Sequence, residues 1–258
     1  MSGARGSRSP DGAVLDLPVV EADRLAWLTA AQMREIDRVM VEDLGIALVQ
    51  MMENAGRALA DLVVRRFDPG TALIMAGPGG NGGGGIAAAR HLANRGVRVR
   101  IVLAAGVPRM GRVPRLQLGI AQRMGIPVSV RPDPDAEVLV DALLGYSLEG
   151  DPRGPAAELI GWANGTGAPV AALDLPSGLD ATSGRVGDPC IRATATLTLA
   201  MPKIGLREAP AVVGELYLAD ISVPPAVYRT VGSEVPTTPF RDAPLVRVAE
   251  ARSVQGAP

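Results

Sequence analysis

Residues 76–92, "AGPGGNGGGGIAAARHL", decide how this chain folds. Seven of the first ten residues of this stretch are glycines. The tract follows the apolar run 71–75, which predicts a short buried strand, and it precedes a helix predicted over 86–95 that ends at Gly96. The alternating run 97–103 predicts a second strand. A strand, helix and strand in this order form a βαβ unit, whose two strands are parallel.

The same alternation of strands and helices continues along the chain. Upstream, Thr29 and Gln32 have the spacing of a capping box, and the apolar residues of 48–63 recur at helical intervals. Downstream, we predict helices over 112–124 and 155–163 and strands over 126–130, 138–143, 169–173, 193–200 and 215–221. The predicted fold class is therefore α/β, a three-layer α/β/α Rossmann-like domain with a mostly parallel central sheet.

Composition sets the domain limits and excludes several functional classes. Residues 1–20 are expected to form a flexible leader, 21–235 one domain, and 236–258 a flexible tail, because both ends lack a sustained period. A net charge of −1 and 3% aromatic residues argue against nucleic acid as a partner. The chain has no apolar run of about 18 residues, so we expect no membrane span and a soluble, cytoplasmic protein.

Zinc and cysteine chemistry are also poorly supported. The chain has one histidine, His91, and one cysteine, Cys190, which is too little material for a zinc site or a Cys–His nucleophile. We expect His91 to be a packing or surface residue and Cys190 to be an inert thiol.

The glycine tract allows two interpretations from its pattern alone. Gly77, Gly79 and Gly82 satisfy G-x-G-x-x-G between a strand and a helix, as in dinucleotide-binding folds. However, the second strand ends in "LAAGVPRMGR", without the acidic residue that holds a ribose, and no Gly-Lys-Ser/Thr ending is present. The tract could hold a ligand or only close a tight turn. Asn81, its one oxygen-bearing side chain, could serve a ligand or cap the helix.

Polar side chains also follow two later strands. Asp141 lies near the end of the run 138–143, and Asp174 and Ser177 follow the run 169–173. Loops at the carboxyl ends of parallel strands meet in one crevice, so these residues and Asn81 are expected to converge. Each aspartate could instead be a helix cap or turn former. Together their oxygens form a hard donor set suited to an alkali or alkaline-earth cation.

These motifs together resemble the NAD(P)H-hydrate epimerases, the YjeF N-terminal domain family. The resemblance covers about residues 28–228 and includes "MMENAG", "GPGGNGGGG" with "AARHL", "VDALLGYSLEGDPRGP", "LDLPSGLDATSG" and "LTLAMPKIGL". It implies an α/β/α domain, commonly a homodimer, that interconverts the R and S forms of hydrated NADH or NADPH. A separate dehydratase would then complete the repair of the cofactor.

The resemblance also assigns roles to particular residues. It implies that one K⁺ per subunit is held by Asn81, Asp141 and Ser177. It places substrate on Asp174 and on two loops, which comprise Gly80, Asn81, Gly82, Gly83 and Gly84 and then Gly145, Tyr146, Ser147, Leu148, Glu149, Gly150 and Asp151. Since the reaction needs a group that gives and takes a proton, we predict Asp174 as the catalytic residue, with Asp151 as the second candidate.

One departure from the family pattern keeps an alternative open. Where the family has Asn-Asn-Gly-Gly-Asp, this chain has Gly80 and Gly84 in place of the first Asn and the final Asp. This change favours a catalytically weakened nucleotide- or protein-binding module, whereas Asp141, Asp174 and Ser177 favour the enzyme. An NAD-linked oxidoreductase is the third alternative, and the missing ribose acid argues against it.

Overall fold

A computed structural model describes residues 15–235 and 239–249, which form a mixed sheet covered by helices. The nine strands are β1 (Val19–Glu21), β2 (Thr71–Ala76), β3 (Arg98–Leu103), β4 (Val128–Ser129), β5 (Val138–Ala142), β6 (Val170–Leu173), β7 (Ala195–Leu199), β8 (Glu215–Ala219) and β9 (Leu245–Ala249). The eight α-helices are α1 (Ala30–Arg38), α2 (Leu48–Phe67), α3 (Gly80–Ala93), α4 (Arg112–Arg123), α5 (Gly154–Thr166), α6 (Ile204–Glu208), α7 (Pro210–Val213) and α8 (Pro225–Thr230).

The strand order confirms the predicted fold class. The order is β1-β9-β8-β7-β6-β5-β2-β3-β4, and every neighbouring pair is parallel except the antiparallel pair β8–β9. From β2 the chain runs outward through β3 and β4 and then returns to place β5 on the other side of β2. The order therefore reverses between β2 and β5, and ligand crevices of open α/β sheets form at such points.

Alternate residues of β2 and β5 belong to different apolar clusters, one on each face of the sheet. Ile74 and Val140 face α2, α3 and α4, whereas Leu73, Met75 and Leu139 face α5. This alternation buries both faces of the sheet, as parallel sheets require. Among the described residues, no helix is both long enough and apolar enough to cross a bilayer.

The helix after the glycine tract begins earlier than predicted. The sequence indicates a helix from residue 86, but α3 begins at Gly80 and includes four further glycines before Ile86. Glycine is a poor helix former, so packing has overridden propensity here. A Cβ on Gly85 would lie 2.4 Å from Ala142 Cβ, and one on Gly56 of α2 would lie 2.6 Å from Ala87 Cβ. Glycine lets α3 lie close to both the sheet and α2.

The predicted flexible tail is wrong in part. Leu245–Ala249 forms β9, which pairs with both β1 and β8 inside the sheet. Val19 and Val20 of the predicted leader belong to β1, which pairs with β9. These strands escaped prediction because each is short and depends on a partner from the other end of the chain. The rest of the predicted leader up to residue 14, and residues 236–238 and 250–258 of the predicted tail, lie outside the described residues.

Candidate active site

A cavity of about 380 Å³ opens at the reversal between β2 and β5. Its floor is formed where β5 and β6 end, and its walls come from α1, α2 and the start of α3. Most of the lining is apolar, including Met33, Met51 and Met52. A mostly apolar cavity with a few convergent polar groups is the usual form of a small-molecule site.

Three predicted residues from separate elements meet beside this cavity. Asp141 lies in β5, and both of its carboxylate oxygens accept hydrogen bonds from Ser177, Oδ1 from the hydroxyl at 2.6 Å and Oδ2 from the backbone N–H at 2.7 Å. The Ser177 hydroxyl oxygen also accepts the Leu144 N–H at 2.9 Å. The Asn81 amide donates to the Leu144 carbonyl at 3.0 Å. The structure therefore joins Asn81, Asp141 and Ser177 through Leu144.

The chemistry of this cluster suits a cation. Asp141 is fully buried, and no ion pair of the described residues includes it. Burial raises the pKa of Asp141 to about 6, and the hydrogen bonds from Ser177 and Leu143 oppose that rise. A buried carboxylate without a positive partner gains stability from a cation nearby. The described residues contain no cluster of three His, Cys, Asp or Glu side chains suited to a metal, so amide and hydroxyl oxygens would have to complete the donor set.

A buried ion pair lies at the cavity floor. Asp174 follows β6 with a positive φ of 69° and is 4% exposed, and its carboxylate accepts a bond from the fully buried Lys203 ammonium. Lys203 also donates to the Leu199 carbonyl at 2.9 Å and lies 3.3 Å from the Thr198 hydroxyl. All three Lys203 donors therefore have acceptors, and the ammonium holds the Asp174 carboxylate in place at the cavity.

Sequence reasoning missed Lys203, although a signal was present. The chain has 26 basic residues, and Lys203 is its one lysine. A compact ammonium can sit inside a buried pocket that the broad guanidinium of arginine does not fit. A single lysine in an arginine-rich chain therefore indicates a position where a compact cation is needed.

A second polar pair was also missed. Asp37 of α1 is half-buried at the cavity, and it accepts a hydrogen bond from the Tyr146 hydroxyl. Burial raises the pKa of Asp37, and the Tyr146 bond partly opposes this rise. Burial also raises the pKa of Tyr146, as does the neighbouring Asp37 charge. No sign of this role is visible in the sequence, because Asp37 occupies a polar position of an amphipathic helix and such positions usually face solvent.

The predicted substrate residues divide into two groups. Those that line the cavity are Gly80, Asn81, Gly84, Gly145, Tyr146, Ser147 and Asp174. Gly82 and Gly83 do not line it, because they pack against protein: a Cβ on Gly82 would lie 1.8 Å from the Gly77 carbonyl oxygen, and one on Gly83 would lie 2.7 Å from Met52 Sδ. The glycine tract thus serves close packing at Gly82 and Gly83, whereas Gly80 and Gly84 line the cavity.

The outer part of the second predicted loop does not reach the cavity either. Leu148, Glu149, Gly150 and Asp151 are absent from its lining. Asp151 is exposed and pairs with Arg185 at 2.7 Å, and this partner lowers the pKa of its carboxyl. An exposed, ion-paired carboxylate outside the cavity is poorly placed for proton transfer, so the geometry does not support Asp151 as the second candidate.

The single histidine and the single cysteine also lie outside the cavity lining. His91 is half-buried on α3 and contacts Glu53 at 2.8 Å. Cys190 is buried, and burial raises the pKa of its thiol to about 12. A thiol of that kind carries almost no thiolate at neutral pH and is a weak nucleophile.

Comparison with known proteins places this geometry in a family. The model of the YjeF-related protein N-terminus matches residues 48–205. A protein named NAD(P)H-hydrate epimerase from Dehalogenimonas lykanthroporepellens is 42% identical over 91% of this chain and 97% of its own length. Another of that name from Rhodopirellula baltica is 34% identical over 82% of this chain and 90% of its own length.

Two further comparisons concern a longer relative and the fold. A bifunctional NAD(P)H-hydrate repair enzyme from Salinibacter ruber is 35% identical over 78% of this chain, which covers 41% of that protein. The crystal structure of yeast ynu0, YNL200c, matches with a TM-score of 0.75 and 23% identity over 86% of this chain and all of that chain, which shows a shared fold. From the matched residues and these identities, the chain belongs to the family of the YjeF-related protein N-terminus.

Proposed function

We propose that this chain is an NAD(P)H-hydrate epimerase, an isomerase that interconverts the R and S forms of hydrated NADH and NADPH in nicotinamide nucleotide repair. Full-length relatives that carry this name support the proposal. The observation that carries it is the Asp174–Lys203 ion pair, buried at the floor of a cavity of about 380 Å³ at the sheet reversal. A buried, oriented carboxylate beside a mostly apolar cavity can exchange protons with a bound small molecule.

The chemistry of the substrate explains the need for such a group. The carbon that is epimerised carries a hydroxyl and lies beside the ring nitrogen. Its configuration changes when water leaves and returns through an iminium, or when the ring opens and closes. Both routes require a proton to be given and taken at the hydroxyl oxygen. We assign this proton transfer to Asp174, which Lys203 and the Leu199 N–H orient.

The start of α3 supplies a place for the phosphate end of the substrate. Gly79 and Gly80 line the cavity, and no atom lies within 4 Å of a Cβ built on Gly79. The first N–H groups of a helix have no partners within the helix and attract anions. We therefore propose that the pyrophosphate lies against these N–H groups, with Gly145, Tyr146 and Ser147 bordering the ring.

We also propose K⁺ as the resident cation, one per subunit, held by Asn81, Asp141 and Ser177. Oxygen-only donors and the buried, unpaired Asp141 carboxylate support this assignment. A cation there would order the ends of β5 and β6 and the start of α3, and it would add positive charge near the phosphate end of the substrate. The residues of this chain, and Asp174 above all, would carry the proton.

The remaining partners follow from the same proposal. We propose a homodimer in the cytoplasm that works with a separate NAD(P)H-hydrate dehydratase. The bifunctional relatives support a link with a second repair activity. Light scattering of the purified chain would test the dimer.

The decisive experiment supplies one pure epimer of hydrated NADH and follows the ratio of R to S forms by chromatography. We expect the native chain to bring the two forms to equilibrium far faster than the uncatalysed reaction, and Asp174→Asn to remove this acceleration. Binding of hydrated NADH without any change in the ratio would reject the epimerase. It would favour the nucleotide-binding module that the glycines at 80 and 84 suggest.

A further inference from the structure

A second carboxylate reaches the cavity from a different wall. Asp37 extends from α1, whereas Asp174 lies beyond the end of β6. Asp37 accepts a hydrogen bond from the Tyr146 hydroxyl, and the charges of Lys203 and Asp174 affect its pKa. The charge of Arg34 affects the pKa of Tyr146. Two carboxylates, each with its own hydrogen-bond donor, therefore share one cavity.

The chemistry of epimerisation gives two carboxylates distinct work. This inference rests on the proposed function. If the hydroxyl leaves one face of the ring and water returns to the other, one group must protonate the departing oxygen and another must deprotonate the arriving water. A single carboxylate fixed by a buried ammonium cannot reach both faces without moving.

We propose that Asp37 is a second catalytic residue, which transfers a proton on the ring face opposite to Asp174, and that Tyr146 is its positioning residue. This role is independent of the cation cluster, because it uses neither Asn81, Asp141 nor Ser177.

The steps balance in atoms and electrons. Asp37, in its protonated form, gives its proton to the hydroxyl; the carbon–oxygen bond breaks, water leaves, and the ring nitrogen lone pair forms the iminium. A water molecule on the other face then forms a new carbon–oxygen bond, the electron pair returns to nitrogen, and the proton of this water goes to Asp174. The substrate regains its composition with the opposite configuration, and Asp174 releases its proton to solvent while Asp37 takes one up before the next turnover in the same direction. In the reverse direction the two carboxyls exchange roles.

Electrostatics are compatible with this division. Burial raises the pKa of Asp37, so this carboxyl retains a proton at higher pH than an exposed aspartate. Asp174 is paired with the Lys203 ammonium and is ready to accept a proton as a carboxylate. The pair thus provides one acid and one base.

The test compares three variants of the full chain, Asp37→Asn, Tyr146→Phe and Asp174→Asn, with pure R or S hydrated NADH as substrate over a range of pH. We expect Asp37→Asn to lower kcat by about 10²- to 10⁴-fold with little change in KM, and to remove the alkaline limb of the pH profile. Tyr146→Phe should keep measurable activity and move that limb to higher pH, because the Tyr146 hydrogen bond lowers the pKa of Asp37 and its removal lets that pKa rise.

A matched control and two outcomes make the result decisive. The control is Asp43→Asn. Asp43 is an exposed aspartate shortly after α1 that pairs with Arg38, and its replacement should leave the native rate unchanged. If the native chain and Asp37→Asn epimerise equally with the same pH profile while Asp174→Asn is inactive, this inference is overturned and the proposed function stands. If the native chain does not epimerise, both are overturned. Should Asp37→Asn not fold, an unmoved limb in Tyr146→Phe overturns the inference.

Discussion

Ser177 holds both carboxylate oxygens of Asp141, with its hydroxyl 2.6 Å from Oδ1 and its backbone nitrogen 2.7 Å from Oδ2. The two residues are 36 positions apart, Asp141 in β5 and Ser177 in the turn after β6. Because Leu144 also donates to the Ser177 hydroxyl oxygen, one serine connects the end of β5 with the turn after β6. The geometry of the proposed cation site therefore depends on this hydroxyl.

Ser177→Ala should weaken both the fold and the response to K⁺. The change leaves the buried Asp141 Oδ1 and the partly buried Leu144 N–H each without one partner, so we expect the free energy of unfolding to fall by about 1–3 kcal/mol. A ligand that binds only the folded state stabilises it, so KCl should raise the unfolding midpoint of the native chain more than that of the variant. Urea denaturation in KCl and in tetramethylammonium chloride measures both effects.

Ser183→Ala is the matched control for this experiment. The Ser183 hydroxyl also bonds an aspartate, Asp180 at 2.9 Å, but in an exposed turn. This variant should keep the K⁺ response of the native chain. An equal response to KCl in all three proteins would remove Ser177 from the cation site.

Asp174→Asn should destabilise the chain as well as inactivate it, because it leaves the Lys203 ammonium buried without its carboxylate. Removing one partner of a buried ion pair costs about 3–5 kcal/mol. Asparagine is the suitable replacement, since it tolerates the left-handed backbone of this position better than alanine or leucine. The double variant Asp174→Asn with Lys203→Met should recover much of the lost stability and remain inactive.

Thermal unfolding and the epimer assay together measure this prediction. Glu208→Gln, which breaks an exposed ion pair with Arg207, serves as the control and should change stability little. A stable Asp174→Asn single variant would mean that Lys203 finds other compensation. An active one would exclude Asp174 as the proton carrier.

The sequence was sufficient to predict the alternation of elements and the convergence of Asn81, Asp141 and Ser177. The alternation follows from short-range apolar patterns. The convergence follows because the loops at the carboxyl ends of parallel strands lie at the same edge of the sheet. The start of α3 could not be predicted in this way. The glycines of α3 after Gly80 adjoin the Gly77 backbone and the side chains of Met52, Leu173 and Ala142, which leave no room for a Cβ, and such proximity is a property of the folded chain.

The two other failures have related causes. β9 is a short strand whose pairing partners, β1 and β8, come from distant parts of the chain, so no local pattern marks it. No motif marks Asp37, and Lys203 lies in "LTLAMPKIGL", a stretch that resembles the family but does not by itself give the lysine a role. Their roles depend on what they face across the cavity, which only the tertiary structure reveals.

Replacement by alanine should affect the stability of the chain strongly at Gly82 and hardly at Gly80. A Cβ on Gly82 would meet the Gly77 carbonyl oxygen at 1.8 Å, and backbone cannot rotate away as a side chain can. We expect Gly82→Ala to lower the free energy of unfolding by about 1–3 kcal/mol or more. The nearest atom to a Cβ on Gly80 is Met52 Cε at 3.8 Å, so Gly80→Ala should change stability by less than about 0.5 kcal/mol.

Substrate binding should separate the two glycines further. Gly80→Ala places a methyl group at the cavity, where the phosphate end of the substrate is proposed to lie, so we expect a higher KM with the stability preserved. Urea denaturation gives the free energy of unfolding of each variant, and the epimer assay gives its KM. Equal destabilisation by the two substitutions would contradict the close approach of Gly82 to Gly77.

His91 should make the chain less stable as the pH falls below neutrality. Burial lowers the pKa of this imidazole from its ordinary value of 6.5, although the contact with Glu53 opposes the shift. Between the lowered pKa and 6.5 the unfolded chain binds more protons than the folded one, so this stabilising contribution is present above pH 6.5 and is lost as the pH falls through the folded value. Since His91 is the single histidine, one imidazole NMR signal reports its titration directly. His91→Gln should show a smaller loss of stability than the native chain between pH 7 and about pH 5. An imidazole pKa at or above 6.5 would contradict the half-buried, neutral histidine that packs α3 against α2.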